Sequence, residues 1–523
     1  MSFSSSFSGT FSNSDEFDVC ALELRAQGYT HVPLVRETLA DLDTPVSTYL
    51  KLASQRYTYL FESVQGGDQW GRYSIIGLPC RKVIRFHGKQ MTIETDGEIT
   101  HSEQLEKPFD AIRDIQAKYK IAPQEGLPEM IGGLVGYFAY EIVAYIEPRL
   151  NLVERHDDLK TPDILLMIST DVLVFDNLSG RIFIVTLASL DDPSAYDIAQ
   201  TKLDEIVRKL GSSFSAPHVD TVEEIPSEQD YDLHFKQSDF ESAVERCKQY
   251  IHDGDIMQVV LSQRLSTPYA GKAIDVYRAL RTINPSPYMY FLDVGDFQIV
   301  GSSPEILVRV QGDTVTVRPI AGTRKRGENE HRDKELEAEL LSDEKELAEH
   351  LMLIDLGRND ISQIAEIGSV ELTENMLVER YSHVMHIVSN VDAKLKPSYD
   401  AIDVLKATFP AGTVSGAPKI RAMEIIHELE PIKRGVYSGA VGYLAWNGNM
   451  DTAIAIRTAV IKDGVLNVQA GAGIVADSVP EYEWKETRNK ARAMVKAVEL
   501  ANSGLGFSRN KPSEESSQST SQD

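Results

Sequence analysis

The chain has 523 residues, 42% hydrophobic and 25% charged, a composition typical of a globular protein with two domains or one large two-lobed unit. Its 79 acidic and 53 basic side chains give a net charge of −26, which disfavours nucleic acid and opposes a small anionic substrate unless cations or a metal offset it locally. No apolar run is long enough for a membrane span, and Cys20, Cys80 and Cys247, without CxxC spacing, favour a reducing, cytoplasmic location.

The N-terminal part begins with a serine-rich segment, residues 1–16, that lacks the basic and apolar regions of a targeting peptide. We expect it to be a disordered leader. Residues 17–211 are predicted to form an α+β lobe, because helical stretches alternate with strands such as 82–87 and 91–95. Gly88 is predicted to form the turn between those two strands.

A glycine-rich apolar strand is predicted at 131–141 and is followed by strands at 164–175 and 181–185. Packing in a sheet core is the default explanation for their glycines and apolar residues. Residues 212–235 are rich in Ser, Pro and acidic residues and show no periodicity, so we interpret them as the domain linker.

The second domain is predicted to span residues 236–502. Ser238 and Glu241 have the spacing of a capping box, and the helix that they would open has an apolar stripe and ends at Gly254. The stripe consists of Phe240, Val244, Cys247 and Ile251. A strand, "IMQVVLSQRL", is predicted next, then a helix at 273–282 and strands at 288–294, 298–302, 306–311 and 314–319.

The hairpin at Gly312 and the absence of regular βαβ alternation indicate an α+β fold built from antiparallel sheets rather than a doubly wound sheet. The polar tail, residues 503–523, is predicted to be disordered.

Two acidic stretches are candidates for a metal site. Residues 333–360 are predicted to be helical, with Glu346 and Glu349 three apart beside an apolar face. That face consists of Leu336, Leu340, Leu347, Leu351 and Ile354. Glu483 and Glu486 repeat the spacing in a second predicted helix. Four converging carboxylates would repel one another unless a cation lay between them, and Mg²⁺ is the natural candidate; solvated acidic helices are the alternative.

The second stretch also offers groups for an anion. Gly471 and Gly473 can expose backbone N–H groups without a Cβ in the way. Lys490, four residues beyond Glu486, is expected on the same helical stripe. A metal and an anionic substrate could therefore meet here.

Five motifs stand in one order over one region: "GSSPEIL" at 301–307, "RPIAGTRKRG" at 318–327, "EHLMLIDLGRND" at 349–360, "FPAGTVSGAPK" at 409–419 and "QAGAGIVADSVPEYEWKET" at 469–487. Together they resemble the chorismate-binding enzyme family, and five motifs in register are far more specific than one. The resemblance implies a two-lobed α+β fold with antiparallel sheets packed face to face and helices outside. It is closest to the branch that converts chorismate and ammonia to anthranilate and pyruvate, the first committed step of tryptophan synthesis.

The resemblance also implies roles for individual residues. The catalytic residues would be Glu305, His386 and Thr413; the substrate-binding residues Thr323, Tyr437, Arg457, Gly471, Gly473 and Lys490; and the Mg²⁺-binding residues Glu346, Glu349, Glu483 and Glu486. Of these carboxylates, Glu349 and Glu486 are expected to ligate directly. Glu305 would protonate the leaving hydroxyl and His386 would remove a proton before pyruvate departs. Without the resemblance, Glu305 would be an exposed turn residue and His386 a structural histidine.

Two further strings, "YLFES" at 59–63 and "NPSPYMYF" at 284–291, resemble the pocket in which that branch binds L-tryptophan as a feedback inhibitor. The implied inhibitor-binding residues are Glu62, Ser63, Pro287, Tyr288, Met289, Val441 and Tyr443. The region 17–211 would accordingly be a regulatory lobe and the region 236–502 the catalytic domain.

Two positions distinguish the branch. Isochorismate and salicylate synthases have a lysine base where Gln258 stands, and aminodeoxychorismate synthases have a lysine nucleophile where Ala321 stands. Glutamine cannot deprotonate water and alanine offers no nucleophile, which leaves attack by ammonia. Both could equally be simple packing residues.

No cysteine of the chain lies in a nucleophile turn, so it is not expected to release ammonia from glutamine. The resemblance therefore implies a separate glutamine amidotransferase subunit, in an assembly such as a heterotetramer. The alternatives are another chorismate-using synthase, for aminodeoxychorismate or isochorismate, and a non-catalytic tryptophan sensor.

Overall fold

The computed structural model describes residues 11, 13–63, 71–150, 155–214, 219, 227–381 and 384–506. Its α-helices are α1 Ser14–Ala26, α2 Pro45–Leu52, α3 Pro108–Gln116, α4 Val143–Ile146, α5 Ala195–Leu210, α6 Gln237–His252, α7 Ala273–Ile283, α8 Glu330–Ser342, α9 Glu344–Ser362, α10 Ala401–Thr408, α11 Gly412–Ser415, α12 Lys419–Leu429 and α13 Pro480–Asn502.

The strands of the first half are β1 His31–Leu39, β2 Thr58–Glu62, β3 Tyr73–Gly77, β4 Lys82–His87, β5 Gln90–Thr95, β6 Glu98–Gln104, β7 Gly133–Phe138, β8 Ile164–Ser169, β9 Asp171–Asp176, β10 Arg181–Ser189 and β11 Asp232–Leu233. Those of the second half are β12 Gln258–Pro268, β13 Tyr288–Asp293, β14 Phe297–Ser303, β15 Ile306–Gln311, β16 Thr314–Val317, β17 Ile320–Lys325, β18 Glu371–Arg380, β19 Val384–Lys394, β20 Gly416–Ala417, β21 Ala440–Ala445, β22 Met450–Ile454, β23 Thr458–Lys462 and β24 Val465–Ile474.

The strands form two 12-stranded antiparallel sheets, which confirms the predicted α+β class. Sheet I has the order β1-β10-β9-β3-β2-β13-β14-β23-β24-β12-β11, with β20 added to β12. Sheet II has the order β17-β19-β16-β15-β22-β21-β7-β8-β4-β5-β6, with β18 added to β19.

Sheet I is buried on both faces. Along β2, Tyr59 belongs to a core shared with sheet II, whereas Leu60 belongs to a core shared with α1, α2, α5, α7 and α13. Successive strand residues point to opposite faces, so this division shows the two sheets face to face with helices outside sheet I. The Tyr59 hydroxyl forms a 2.9 Å hydrogen bond with Ser169 of β8, across the interface between the sheets.

The two predicted lobes share both sheets. In sheet I, β2 pairs with β13, and in sheet II, β7 pairs with β21. β11, which lies inside the predicted linker, pairs with β12. The lobe boundaries remain a prediction, but neither predicted lobe has a sheet of its own.

Three predicted elements are divided or begin differently. The strand predicted at 164–175 breaks at Thr170, because β8 belongs to sheet II and β9 to sheet I. The helical run 333–360 is interrupted at Asp343, whose side chain accepts hydrogen bonds from the backbone N–H groups of Lys345 and Glu346 and thereby caps α9. The helix α1 begins at Ser14, inside the expected leader, because the Asn13 side chain accepts a hydrogen bond from the N–H of Glu16.

The capping box predicted at Ser238 is wrong. The helix α6 begins at Gln237 without a side-chain cap, and the Ser238 hydroxyl donates instead to Asp239. The predicted apolar face of the acidic run is also wrong at one position, because Leu351 is 51% exposed. By contrast, the turns at Gly88 and Gly312 are confirmed, and both glycines have positive φ.

None of the helices that the structure describes is long and apolar enough to span a bilayer. Residues 1–10 of the expected leader, 507–523 of the expected tail and much of the expected linker lie outside the described ranges.

Candidate functional site

The two predicted pairs of glutamates lie on α9 and α13, whose N-terminal ends are joined by an ion pair. Lys345 on α9 and Asp477, just before α13, approach to 3.0 Å. Burial raises the pKa of Glu349, and the charges of Glu346 and Glu486 raise it further. Glu349 on α9 therefore lies within range of the charge of Glu486 on α13.

The four carboxylates do not form one compact cluster. Glu346 accepts a hydrogen bond from Arg324 at 3.2 Å, and Glu486 pairs with Lys490 at 2.7 Å. Within the described ranges, no group of three or more Asp, Glu, His or Cys side chains is gathered closely enough to hold a metal ion. The expectation of four closely converging carboxylates is corrected accordingly, because like charges repel and two of the four are drawn to cations.

Glu483 resembles Glu349 in its electrostatics. Burial raises its pKa and the charge of Glu486 adds to this, while the Ser478 hydroxyl, Lys490 and Lys345 act in the opposite direction. Both glutamates are thus in surroundings where a further positive charge would be favourable.

Glu305 lies between β14 and β15, where its backbone oxygen accepts a hydrogen bond of 3.0 Å from the N–H of Ile454. Burial raises the pKa of its carboxyl group, and Thr413, Arg457 and Lys490 lower it again in part. Thr413 lies on α11, and its buried hydroxyl lies beside the Glu305 carboxyl group, whose ionised form it favours.

His386 lies on β19, opposite β17. Its Nδ1 is 2.8 Å from the carbonyl oxygen of Gly322 and 3.1 Å from the Thr323 hydroxyl. Burial lowers its pKa, the charge of Arg457 contributes in the same direction, and the Gly322 carbonyl opposes them. The imidazole is therefore neutral near neutral pH, and the other ring nitrogen, Nε2, is left to act as a base.

Arg457 and Tyr437 are brought towards Glu305. Burial lowers the pKa of Arg457, while Glu305 and Tyr437 raise it. Arg457 has φ of 51°, and its charge acts on both Glu305 and His386. Tyr437 is buried, which raises its pKa to about 12. An incompletely neutralised arginine beside a neutral phenol suits a carboxylate ligand.

Gly471 and Gly473 lie on strand β24. They pair with Ser262 and Val260 of β12. A Cβ at Gly471 would approach the Tyr437 hydroxyl to 2.8 Å, and one at Gly473 would approach the Gln258 amide nitrogen to 2.5 Å. The absence of side chains here therefore makes room for Tyr437 and Gln258.

Lys490 links β24 to the glutamates. Its ammonium group donates to the Gly471 carbonyl at 3.0 Å and pairs with Glu486 at 2.7 Å. The candidate metal-binding residues and the candidate anion-binding residues are thus adjacent.

A second site is a cavity of about 320 Å³ between the sheets. All seven predicted inhibitor-binding residues line it: Glu62, Ser63, Pro287, Tyr288, Met289, Val441 and Tyr443. The carboxylate of Glu62 is already engaged, since it accepts hydrogen bonds from Tyr277 at 2.5 Å and Arg281 at 3.0 Å.

The sequence reasoning missed four charged residues of the cavity wall, Arg72, Glu129, Arg309 and Asp451, of which the last two form a pair. Asp451 accepts hydrogen bonds from Arg309 at 2.7 Å and from the Tyr288 hydroxyl at 3.0 Å. The available signal was the charge of Arg309 and Asp451 in the otherwise apolar strands β15 and β22, which bring them to the same wall.

The chain matches the family model described as chorismate binding enzyme over residues 59–496. It is 57% identical to anthranilate synthase component 1 of Pseudomonas aeruginosa over 490 residues, which covers 94% of this chain and 99% of that protein. It is 48% identical to anthranilate synthase component 1 of Aquifex aeolicus over 482 residues, which covers 91% and 96% of the two chains.

Among solved structures, anthranilate synthase component I from Streptococcus pneumoniae superposes with a TM-score of 0.73 at 38% identity, over 88% of this chain and 99% of that one. The menaquinone-specific isochorismate synthase of Escherichia coli superposes with a TM-score of 0.65 at 19% identity, over 92% of this chain and 100% of that one. The second likeness concerns the fold alone.

Proposed function

The chain belongs to the chorismate-binding enzyme family, and from that premise we propose that it acts as the large component of an anthranilate synthase in tryptophan synthesis. The reaction is that of a lyase, in which chorismate and ammonia give anthranilate, pyruvate and water. The strongest support is that the candidate catalytic groups lie close together: Thr413 and Arg457 lower the pKa of Glu305, and Arg457 also lowers that of His386. In addition, Gln258 and Ala321 occupy the two positions that distinguish this branch of the family.

Mg²⁺ fits the residues of the glutamate helices. Burial and nearby like charges raise the pKa values of both Glu349 and Glu483. A bound cation would stabilise their ionised forms. Mg²⁺ needs only one or two direct carboxylates, so a compact cluster of ligands is not required. Glu349 and Glu486 would hold the ion, Glu346 and Glu483 would support it, and the ion would offset the charge of the ring carboxylate.

The second carboxylate of chorismate, on the enolpyruvyl arm, would be held by Arg457, Tyr437 and Lys490. Their support is the buried guanidinium of Arg457, its proximity to the Tyr437 phenol, and the position of Lys490 beside Gly471. The charges of Arg457 and Lys490 would also offset the repulsion between an anionic substrate and a chain of net charge −26.

Proton transfer divides between two residues. Ammonia adds to the ring while the C–O bond of the ring hydroxyl breaks, and Glu305 donates the proton that makes water the leaving group. A carboxyl group with a raised pKa suits this role. In the second stage His386 accepts the ring proton, the C–O bond between the ring and the enolpyruvyl group breaks, and the ring becomes aromatic. The group leaves as an enolate, which takes up a proton to give pyruvate. Thr413 and Thr323 would hydrogen-bond the substrate during both stages.

Ammonia would come from a separate glutamine amidotransferase subunit, as the designation component 1 of the relatives suggests. Burial raises the pKa of Cys80 and of Cys247 to about 12, so both are inert thiols rather than nucleophiles. The sparse, unpaired cysteines also support the cytoplasmic location expected from the sequence.

The cavity between the sheets would bind L-tryptophan as a feedback inhibitor. Its volume of about 320 Å³ suits a small ligand, and its wall combines aromatic residues with the Arg309–Asp451 pair. Such a wall offers an apolar surface to an indole ring and charges to an amino-acid zwitterion.

The decisive experiment is to incubate the purified chain with chorismate, Mg²⁺ and ammonium and to follow the fluorescence of anthranilate. We expect anthranilate and pyruvate in equal amounts, and inhibition by tryptophan. Isochorismate or an unaromatised aminated product would place the chain in another branch. No product, with tryptophan still bound, would instead identify a sensor without catalysis.

A further inference from the structure

The most deeply buried ion pair described in the chain lies outside the residues given a role so far. Glu430, at the end of α12, and Arg434, four residues later, approach to 2.6 Å, and their side chains are 1% and 0% exposed. A buried ion pair is a poor source of stability, because desolvation offsets the attraction between the charges. Its presence therefore calls for another explanation.

All five N–H donors of the Arg434 guanidinium are used. Nε and one Nη2 hydrogen bind Glu430, at 2.9 and 2.6 Å. The second Nη2 hydrogen binds the carbonyl of Val260 on β12, at 2.8 Å. The two Nη1 hydrogens bind the carbonyl of Val414, at 2.7 Å, and the hydroxyl of Ser438, at 3.2 Å.

Two of these contacts are one residue away from the proposed substrate-binding groups. Val414 follows Thr413 on α11, and Ser438 follows Tyr437. The guanidinium also lies 5.6 Å from the centre of the Tyr437 ring. One side chain therefore fixes the backbone that presents Thr413 and the segment that presents Tyr437.

Glu430 extends this fixation to the strand that carries the glycines. Its Oε1 accepts hydrogen bonds of 2.8 Å from both the N–H and the hydroxyl of Ser262 on β12. The Ser262 hydroxyl in turn accepts from Gln469 of β24 at 2.8 Å. Gln469 is two residues before Gly471, so the polar network reaches from α11 to β24.

We infer that Glu430 and Arg434 are positioning residues, which hold Thr413 and Tyr437 at a fixed separation beneath the substrate. The inference rests on the proposed function, since those two residues are given their tasks there. Lysine cannot replace the arginine, because an ammonium group has three donors and no planar fork. A displacement of about 1 Å at a catalytic group can lower a rate by about 100-fold.

The test is the variant Arg434→Lys, which keeps the charge and removes the fork. We expect kcat for ammonia-dependent anthranilate formation to fall about 10- to 100-fold and KM for chorismate to rise about threefold or more. Amide hydrogen exchange should increase at 412–416 and 436–438. In a Thr413→Val background, the same substitution should lower kcat by a smaller factor, since part of its effect acts through Thr413.

The matched control is Arg85→Lys, at an arginine that is 11% exposed and paired with Glu94 at 2.7 Å. It should lower the thermal midpoint without changing kcat. Equal losses of kcat in both variants, or multiplicative losses in the Thr413→Val background, would overturn the inference.

Should Arg434→Lys fail to fold, Ser438→Ala replaces it. We then expect the same increases in amide exchange at 436–438 and in KM, and an unchanged KM would contradict the inference. An inactive wild-type chain would refute the proposed function instead.

Discussion

The cavity between the sheets differs in its charge pairing from the site around Glu305, Glu349 and Arg457, which we call the glutamate site. In the cavity wall, Arg309 is paired with Asp451, and the carboxylate of Glu62 is paired with Arg281. In the glutamate site, like charges and burial raise the pKa of Glu349, and burial lowers the pKa of Arg457. The ion pairs of the cavity wall are thus formed within the chain, whereas in the glutamate site the proposed cation and anionic substrate would offset the charges that Arg324 and Lys490 leave unpaired.

This difference predicts which substitutions matter in each place. A change of charge at constant volume should damage the glutamate site, because its ligands are held by charge. A change of volume at constant charge should damage the cavity, because its ligand is held by shape.

Glu305→Gln keeps the volume and removes the transferable proton. We expect kcat to fall by about 10²- to 10⁴-fold, the usual contribution of a general acid. In the wild type, the raised pKa keeps the acid form populated above the ordinary range, so the rate at constant free ammonia should fall as the pH rises through that pKa. Rates measured at several pH values check both statements. The exposed Glu330→Gln should behave as the wild type, and a full rate in Glu305→Gln would remove its role.

His386→Asn should separate the two stages of the reaction. Without the imidazole, ammonia still adds, but removal of the ring proton slows by about 10²-fold or more. Mass spectrometry should then detect an aminated, non-aromatic intermediate at the expense of anthranilate and pyruvate. Unchanged release of pyruvate would show that another group removes the proton.

Glu349→Gln tests whether a cation relieves the repulsion on α9. We expect the Mg²⁺ concentration at half-maximal rate to rise by about 10- to 100-fold or more, as for groups that support a metal ion. Titration of the chelated enzyme with Mg²⁺ measures it, and binding of Mg²⁺ by calorimetry measures it without turnover. Glu344→Gln, an exposed change on the same helix, is the control and should leave the Mg²⁺ requirement unchanged.

Ser63→Phe adds volume to the cavity without adding charge. We expect the tryptophan concentration for half-inhibition to rise about tenfold or more, the order of effect expected for overpacking a fitted site by about 1–3 kcal/mol. The value of kcat without tryptophan should stay within about twofold. Ser102→Phe, at an exposed serine of β6, should alter neither quantity. Equal inhibition in Ser63→Phe and wild type would exclude this cavity as the inhibitor site.

Much of the fold was predictable because local signals and tertiary context agree. The strand 82–87, the turn at Gly88 and the helix near 273–283 follow directly from alternation, glycine and apolar periodicity. The break at Thr170 coincides with three polar residues, Ser169, Thr170 and Asp171, but only the packing of the chain shows that the strands on either side belong to different sheets. The cap at Asp343 had a signal that was missed, because Asp followed by Glu three residues later is a typical start of a helix, here inside a longer acidic run.

The candidate site was predictable in composition but not in arrangement. The motifs identified Glu346, Glu349, Glu483 and Glu486, and the spacing of four residues already placed Lys490 beside Glu486. The pairing of Glu346 with Arg324, by contrast, depends on a distance that no spacing reveals. Arg434 was missed for the same reason. Its five hydrogen bonds reach four separate segments, and an arginine in a sequence ordinarily indicates a solvated surface.

Both halves of the chain contribute strands to both sheets, and this affects how the protein folds during synthesis. During synthesis, β7 cannot pair until β21 has left the ribosome, and β2 cannot pair with β13 until β13 has. The edges of these early strands are therefore exposed in the meantime. Pairings between such distant segments raise the contact order and slow folding. A fragment ending near residue 211 would present the edges of β2 and β7 permanently and would aggregate, whereas the same fragment produced together with its complement would be rescued.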